Sequence, residues 1–218
     1  MLLPDNTQRI LILGRTGSGK THAGLWHLSL RNFDIPFCII DTKLDHSAWA
    51  GIKNAKHINV ADRKPLTSGL YIITAETQQF DNDLPQFLEK IWYQGNCGIM
   101  FDEVSDYGKM TEFIRILKQG RAKNIPCIIL SQRPVMIDLS CYTEAEYFQI
   151  YQLTHDKDKE KVEAFMPMSP AEWNFTQNKK SIYYDVLNSE KTYLEPLPSR
   201  DFIINRLNSK LKLKLNFI

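Results

Sequence analysis

Residues 14 to 21 read Gly14-Arg15-Thr16-Gly17-Ser18-Gly19-Lys20-Thr21. Glycines at 14, 17 and 19 let backbone N–H groups turn toward an anion without Cβ atoms in the way. Lys20 is long enough to reach the outer phosphates of a polyphosphate, and the Thr21 hydroxyl can ligate Mg²⁺. The apolar run Ile10-Leu11-Ile12-Leu13 precedes the loop, and a plausible helix from Thr21 to Leu30 follows it. Such a helix points its free N–H groups and positive dipole end at the same anion. The plainer alternative is a glycine-rich turn that ends in a helix cap. All the fixed positions of the phosphate-loop pattern stand here between a strand and a helix, which weighs against that alternative.

A second chemical signal lies at Met100-Phe101-Asp102-Glu103. An apolar strand there delivers two carboxylates. Asp102 is placed to hold Mg²⁺, directly or through water, and Glu103 to polarise an attacking water as general base. Alone, the pair is no more than a strand end with solvated acids; downstream of a complete phosphate loop it gains weight. Ser131-Gln132-Arg133-Pro134 ends a further apolar strand, where the Gln132 amide can sense a γ-phosphate or hold the lytic water, or merely form a turn before proline. Asp41-Thr42-Lys43 follows the second strand and is read either as a Mg²⁺-water or neighbour contact or as a polar turn. Arg115, Arg121 and Arg133 are candidates for an arginine acting on a neighbouring subunit's nucleotide, against the commoner role of a surface ion pair.

These residues must be carried by a sheet. Apolar runs at residues 9–13, 37–40, 69–74, 97–101, 125–130 and 147–153 are bounded by turn residues, as in strands buried on both faces of a parallel sheet. A short strand is expected over 57–60. Helices are expected over residues 81–93, 106–119 and 156–165. Strand and helix alternate, which predicts a doubly wound α/β domain whose ligand lies at the carboxyl ends of the strands. The phosphate loop, Asp41, Asp102-Glu103 and Gln132 all fall at such ends. After Leu153 the pattern changes. Ser169-Pro170-Ala171-Glu172 reads as a helix start, and residues 181–187 and 191–194 read as a hairpin. Residues 200–218 fit a helix in their first half and a strand in the Lys210-Leu211-Lys212-Leu213-Lys214-Leu215 alternation, and the pattern leaves the choice open. The expected organisation is a core over 1–155 with an extension over 156–218 packed on it as one domain.

The chain has 218 residues, 43% hydrophobic and 24% charged, with net charge +2, so any basic surface for nucleic acid must be local. Lys109, Lys118, Arg121 and Lys123 are candidates for such a surface, and Lys210, Lys212 and Lys214 for docking on a membrane or acidic partner. Cys38, Cys97, Cys127 and Cys141 lack metal-ligand spacing and read as buried thiols of a reducing compartment. The short polar segment before the first strand is no signal sequence and no apolar run reaches membrane-spanning length, so an intracellular, soluble protein is expected.

Taken in order, GRTGSGKT, IIDTKLD, IMFDE and GRAKNIPCIILSQRP resemble the FtsK–HerA superfamily of DNA-pumping ATPases. The likeness covers residues 9–134, and the small size is most similar to the genome-packaging ATPases of tailless, membrane-containing double-stranded DNA viruses of the tectivirus type. The resemblance implies a RecA/FtsK-like P-loop NTPase fold with a mostly parallel sheet. It implies ATP and Mg²⁺ as cofactors, double-stranded DNA as partner, and a homohexameric ring with ATP between subunits. It also implies Arg121 as the trans-acting finger beside catalytic Lys20, Glu103 and Gln132. The expected location is host cytoplasm or the packaging vertex of the virion, with capsid-vertex or membrane proteins as further partners. A phage assembly or secretion ATPase, and a small nucleotide or metabolite kinase, are the alternative readings.

Overall fold

A computed structural model of the chain describes residues 7–42, 46–74, 77–105 and 107–215. Seven strands pair in parallel: β1 (Ile10–Leu13), β2 (Pro36–Ile40), β3 (Lys56–Asn59), β4 (Gly69–Thr74), β5 (Gly98–Asp102), β6 (Cys127–Ser131) and β7 (Tyr147–Ile150). The hairpin β8 (Ser181–Asp185) and β9 (Glu190–Leu194) continues the same sheet antiparallel from β7. The order across the sheet is β3-β4-β2-β5-β6-β1-β7-β8-β9. The expected doubly wound, mostly parallel α/β architecture is therefore the one observed.

The central strands are apolar at every position because both faces are covered. Ile10 and Ile12 of β1 join Ala23, Leu25 and Leu28 of α1 (Lys20–Leu30) and Ile203, Ile204, Leu207 and Leu211 of α7 (Arg200–Leu215) in one core. Leu11 and Leu13 point the other way. They meet Phe87, Leu88 and Ile91 of α2 (Thr77–Gln94) and Phe113, Ile116 and Leu117 of α3 (Thr111–Gln119). The short or peripheral elements α4 (Ser140–Thr143), α5 (Asp156–Glu163), α6 (Pro170–Phe175) and the β8–β9 hairpin complete the chain. All four cysteines are buried free thiols.

Several local readings change: the helix expected over 81–93 starts at Thr77, and the strand expected over 147–153 ends at Ile150. The helix expected from residue 106 begins at Thr111, because the Tyr107 and Gly108 N–H groups both donate to the Val104 carbonyl in a turn ahead of it; Asp106 itself lies outside the described residues. The strand expected over 57–60 runs from Lys56 to Asn59. The undecided tail is a helix through Leu215. Its Ile203, Ile204, Leu207 and Leu211 recur at helical spacing and bury against α1, each contributing about 2 kcal/mol of apolar burial. A strand would send alternate leucines to solvent. The Ser169 helix start is a full capping box, with Ser169 Oγ accepting from the Glu172 N–H and the Glu172 carboxylate accepting from the Ser169 N–H. No helix among the described residues is long and apolar enough to cross a membrane.

Candidate active site

The loop between β1 and α1 is fixed on both sides. Gly14 N–H donates to the Ser131 carbonyl at the end of β6 (3.3 Å), and Arg15 N–H to the Gln152 carbonyl beyond β7 (2.8 Å). Arg15 Nε repeats the second tie through Gln152 Oε1 at 2.9 Å. Gly14 has no room for a side chain: a Cβ would lie 2.6 Å from both Ser18 Oγ and Tyr151 Cβ. Gly17 and Gly19 have φ of +75° and +109°, a region that favours glycine. Lys20 folds back so that its Nζ donates to the Arg15 carbonyl at 3.1 Å. The Ser18 hydroxyl is buried with no hydrogen-bond partner among the described residues. Arg15, Thr16 and Gly17 are exposed along the lip.

The sheet order puts β6 beside β1 and β5 next beyond it, all parallel, so their carboxyl ends open on the same side as the loop. Thr21 Oγ1 donates to Asp102 Oδ1 at 2.7 Å, and Asp102 is 2% exposed. A hydroxyl and a buried carboxylate side by side are hard oxygen donors of the kind Mg²⁺ takes when substrate phosphates and waters supply the rest. No cluster of three or more His, Cys, Asp or Glu residues among the described residues forms a protein-only cage. The residues fit the ion that the sequence implies.

Glu103 leaves the strand with φ of +126°. That backbone region costs a non-glycine residue about 1–3 kcal/mol and persists only when the surroundings impose it. Here they do. The Glu103 carbonyl accepts from Thr42 Oγ1 at 2.8 Å, and the next N–H, of Val104, donates to the Leu130 carbonyl at 2.9 Å. The turn separates the two carboxylates. Asp102 stays against Thr21, while the Glu103 carboxylate accepts from Ser105 Oγ (2.5 Å), Ser105 N–H (3.3 Å) and Gln132 N–H (3.1 and 3.2 Å to its two oxygens). Ser105 Oγ also lies 3.0 Å from the buried Ser131 Oγ, which accepts from the Arg133 N–H. Thr16 Oγ1 donates to Gln132 Oε1, joining the loop to the sensor position. Thr42 thus acts within its own chain, on the Glu103 backbone. Asp41 is buried at the end of β2, and Lys43 lies outside the described residues.

The arginines separate. Arg133 is at the site but its Nε is bound at 3.2 Å by Asp158, a 1% exposed carboxylate on α5 that also accepts the Val135 N–H. Arg115 packs 5.0 Å above the Trp92 ring, away from the loop. Arg121 follows α3 and precedes β6, so it sits at the opposite edge of the sheet from its own phosphate loop. Its side chain is 73% exposed, with Nε 3.8 Å from Glu146. It shares a cavity of about 400 Å³ with Arg9 and Lys118.

Beneath the loop runs a buried polar chain that the sequence did not announce. His27 of α1 meets Gln149 Oε1 at 2.7 Å, and the Gln149 amide N–H₂ donates to Tyr151 Oη and Ser181 Oγ, both at 3.0 Å. Since the amide nitrogen is spent on those hydroxyls, its oxygen faces His27 and the ring donates from Nε2. Burial, helped by the Arg31 charge and opposed by the Gln149 bond, pushes the His27 pKa down to about 4. Asp158, Ser105, Ser131, Gln149 and Tyr151 were all missed as site residues. Ser131 opens the motif that carries Gln132, and Ser105 lies two residues past Glu103; the other three stand outside any motif.

No family model matches the chain. It is 35% identical over 221 residues, covering 97% of each sequence, to the DNA packaging ATPase P9 of Enterobacteria phage PRD1. Among solved structures it is similar to the genome packaging NTPase B204 of Sulfolobus turreted icosahedral virus 2 in complex with AMPPCP (TM-score 0.67, 14% identity, 89% of this chain and 100% of that one). It is also similar to ATPases 2 and 3 of EssC from Geobacillus thermodenitrificans (TM-score 0.64, 11% identity, 97% of this chain and 45% of that one). At those identities the structural likeness is one of fold.

Proposed function

We propose, for a chain that belongs to the family of the PRD1 DNA-packaging ATPase, an ATP-hydrolysing motor that drives double-stranded DNA into a preformed viral shell. The observation that carries the hydrolytic reading is the division of labour between two adjacent carboxylates. Asp102 is buried against Thr21, and Glu103 is turned away by its left-handed backbone toward Ser105 and Gln132. A small P-loop kinase does not need a glutamate directly after the Mg²⁺-holding aspartate, because its acceptor is a substrate hydroxyl rather than water.

Gly17 to Lys20 would receive the β- and γ-phosphates, with the Lys20 ammonium turning from the Arg15 carbonyl to the phosphate oxygens. Thr21 and Asp102 would hold Mg²⁺, which when bound neutralises charge on those oxygens. Glu103 would take the proton of the attacking water, and the Gln132 side chain, placed by Thr16, would orient that water or report the γ-phosphate. Hydrogen bonds from Ser105 and Gln132 hold the Glu103 carboxylate in one place, so the base is positioned before the substrate arrives.

Arg121 is too far around the sheet to serve its own nucleotide, and its exposed edge suits a head-to-tail ring in which it reaches the next copy's phosphate loop. A heterologous contact that closes gives such a ring, here a hexamer. Lys109, Lys118 and Lys123 would then be the candidates for a local basic surface; DNA of any sequence needs only such phosphate contacts. Steady-state ATP hydrolysis with and without long double-stranded DNA, for the wild type and for Glu103→Gln, tests the proposal. DNA-stimulated turnover that the substitution abolishes is the expected result. Hydrolysis indifferent to DNA, or unaltered by Glu103→Gln, would overturn it.

A further inference from the structure

Arg133 and Asp158 pair beside the site without touching either catalytic carboxylate. Asp158 stands in the first turn of α5, beyond the stretch 9–134 that carries the motifs, and is 1% exposed. Its two carboxylate oxygens have different partners. Oδ2 accepts from Arg133 Nε at 3.2 Å, and Oδ1 accepts from the Val135 N–H at 3.1 Å. Taking a carboxylate out of water costs several kcal/mol, and a buried ion pair is often replaceable by apolar side chains with no loss of stability. The positive end of α5 offsets part of that cost. Stability alone is therefore a weak reason for a charge here, and the places of its partners supply a better one.

The two tied residues flank the segment that holds the base. Gln132, just before them, donates its N–H to both oxygens of Glu103 at 3.2 and 3.1 Å. The Arg133 N–H donates to Ser131 Oγ at 3.1 Å, and Ser131 Oγ lies 3.0 Å from Ser105 Oγ, the closest donor to the Glu103 carboxylate. Pro134, between the tied residues, has its carbonyl held by Tyr142 Oη at 2.7 Å. Beside Gln132 and Arg133 a cavity of about 280 Å³, lined also by Thr16 and His155, leaves them room to move.

We infer that Asp158 is a positioning residue for the general base: through Arg133 and Val135 it fixes the backbone whose Gln132 N–H and Ser131 hydroxyl hold the Glu103 carboxylate. The inference rests on the reading of Glu103 as base. An amide in place of the Asp158 carboxylate has one acceptor oxygen instead of two and cannot satisfy both partners. Either Arg133 or the Val135 N–H is then released, residues 131–135 loosen, and Glu103 loses the fixed direction that a base needs. Asp158 touches none of Gly17 to Thr21 or Asp102, so turnover falls and ATP binding does not.

The test is steady-state ATP hydrolysis by the full chain on long double-stranded DNA, with urea unfolding alongside. It compares the wild type, Asp158→Asn, Arg133→Gln, Glu103→Gln and the double variant Asp158→Asn/Glu103→Gln. Asp158→Asn should lower kcat by about tenfold while KM for ATP stays within about twofold. Arg133→Gln breaks the pair from its half-exposed partner and should show the same split; it decides the matter if Asp158→Asn does not fold. In the Glu103→Gln background Asp158→Asn should cost nothing further, because the base it positions is gone. Either single variant, folded and turning over at the wild-type rate, overturns the inference. So does a loss confined to KM, or an equal loss in both backgrounds, which marks a general structural role. A Glu103→Gln protein as active as the wild type would refute the base assignment itself, a separate failure.

Discussion

The buried histidine beneath the loop makes the molecule acid-sensitive in a calculable way. In the unfolded chain His27 titrates near its ordinary 6.5, and in the folded chain at about 4. The native site therefore disfavours the proton, and the unfolded state binds more protons wherever the pH lies below 6.5. Stability is whole above that value and falls as the pH drops toward 4. A tenfold loss of proton affinity corresponds to about 1.4 kcal/mol, so the full effect is on the order of 3 kcal/mol, a large share of a typical domain's stability. Most carboxylates still hold their charge at about pH 5.5, which isolates the histidine: between about pH 7.5 and about pH 5.5 the loss should be about 1.4 kcal/mol. The physical reason is that Nε2 is committed to Gln149, while Nδ1 is buried with no partner among the described residues and would have to carry the added proton there. Urea unfolding of the wild type and of His27→Gln at the two pH values measures it. The variant lacks the titrating group, so its midpoint should move much less over the same interval. Equal shifts in both proteins would refute the assignment of the acid sensitivity to this ring.

Gly14→Ala should cost about 1–3 kcal/mol in denaturant unfolding, because the new methyl sits 2.6 Å from Ser18 Oγ and from the Tyr151 Cβ; an unchanged midpoint would mean that the loop is looser than its contacts. Ser105→Ala removes the closest donor to the Glu103 carboxylate and should lower the hydrolysis rate by about tenfold, with ATP affinity preserved; a loss confined to KM would count against a positioning role. Arg121→Ala should reduce turnover by on the order of 10³ without weakening ATP binding. Mixing it with Glu103→Gln should then restore part of the activity, since some interfaces of a mixed ring pair an intact Glu103 with an intact Arg121. Mixtures no better than the sum of their parts would end the trans reading.

What the sequence disclosed and what it withheld divide by the range of the contacts. The phosphate loop is eight consecutive residues whose glycines are demanded by local backbone geometry, and Asp102-Glu103 sits at the end of an apolar run that no solvated loop resembles. The alternation of such runs made the sheet legible as well. The hold on Glu103 was not legible, because it needs Thr42, Ser105 and Gln132 to converge from three strand ends, and each is an ordinary polar residue by itself. Tyr151 and Gln149 read as members of an apolar strand; only the pairing of β7 with β1 places them under the loop. The tail stayed open for a different reason. Alternating Lys and Leu has period two on paper, yet Ile203, Leu207 and Leu211 keep a helical period, and burial against α1 decides between them.

The dependence of α1 on α7 also has a consequence for how the protein is made. Residues 20–30 leave the ribosome early, but the apolar face of that helix is covered by residues 203–211, and His22 finds its partner only at Pro198. At about 5–20 residues per second, on the order of ten to forty seconds of synthesis separate the two. Throughout that interval the nascent chain displays a sticky, half-finished surface next to an unfinished nucleotide cradle. Newborn chains are therefore the population on which chaperones would be expected to act.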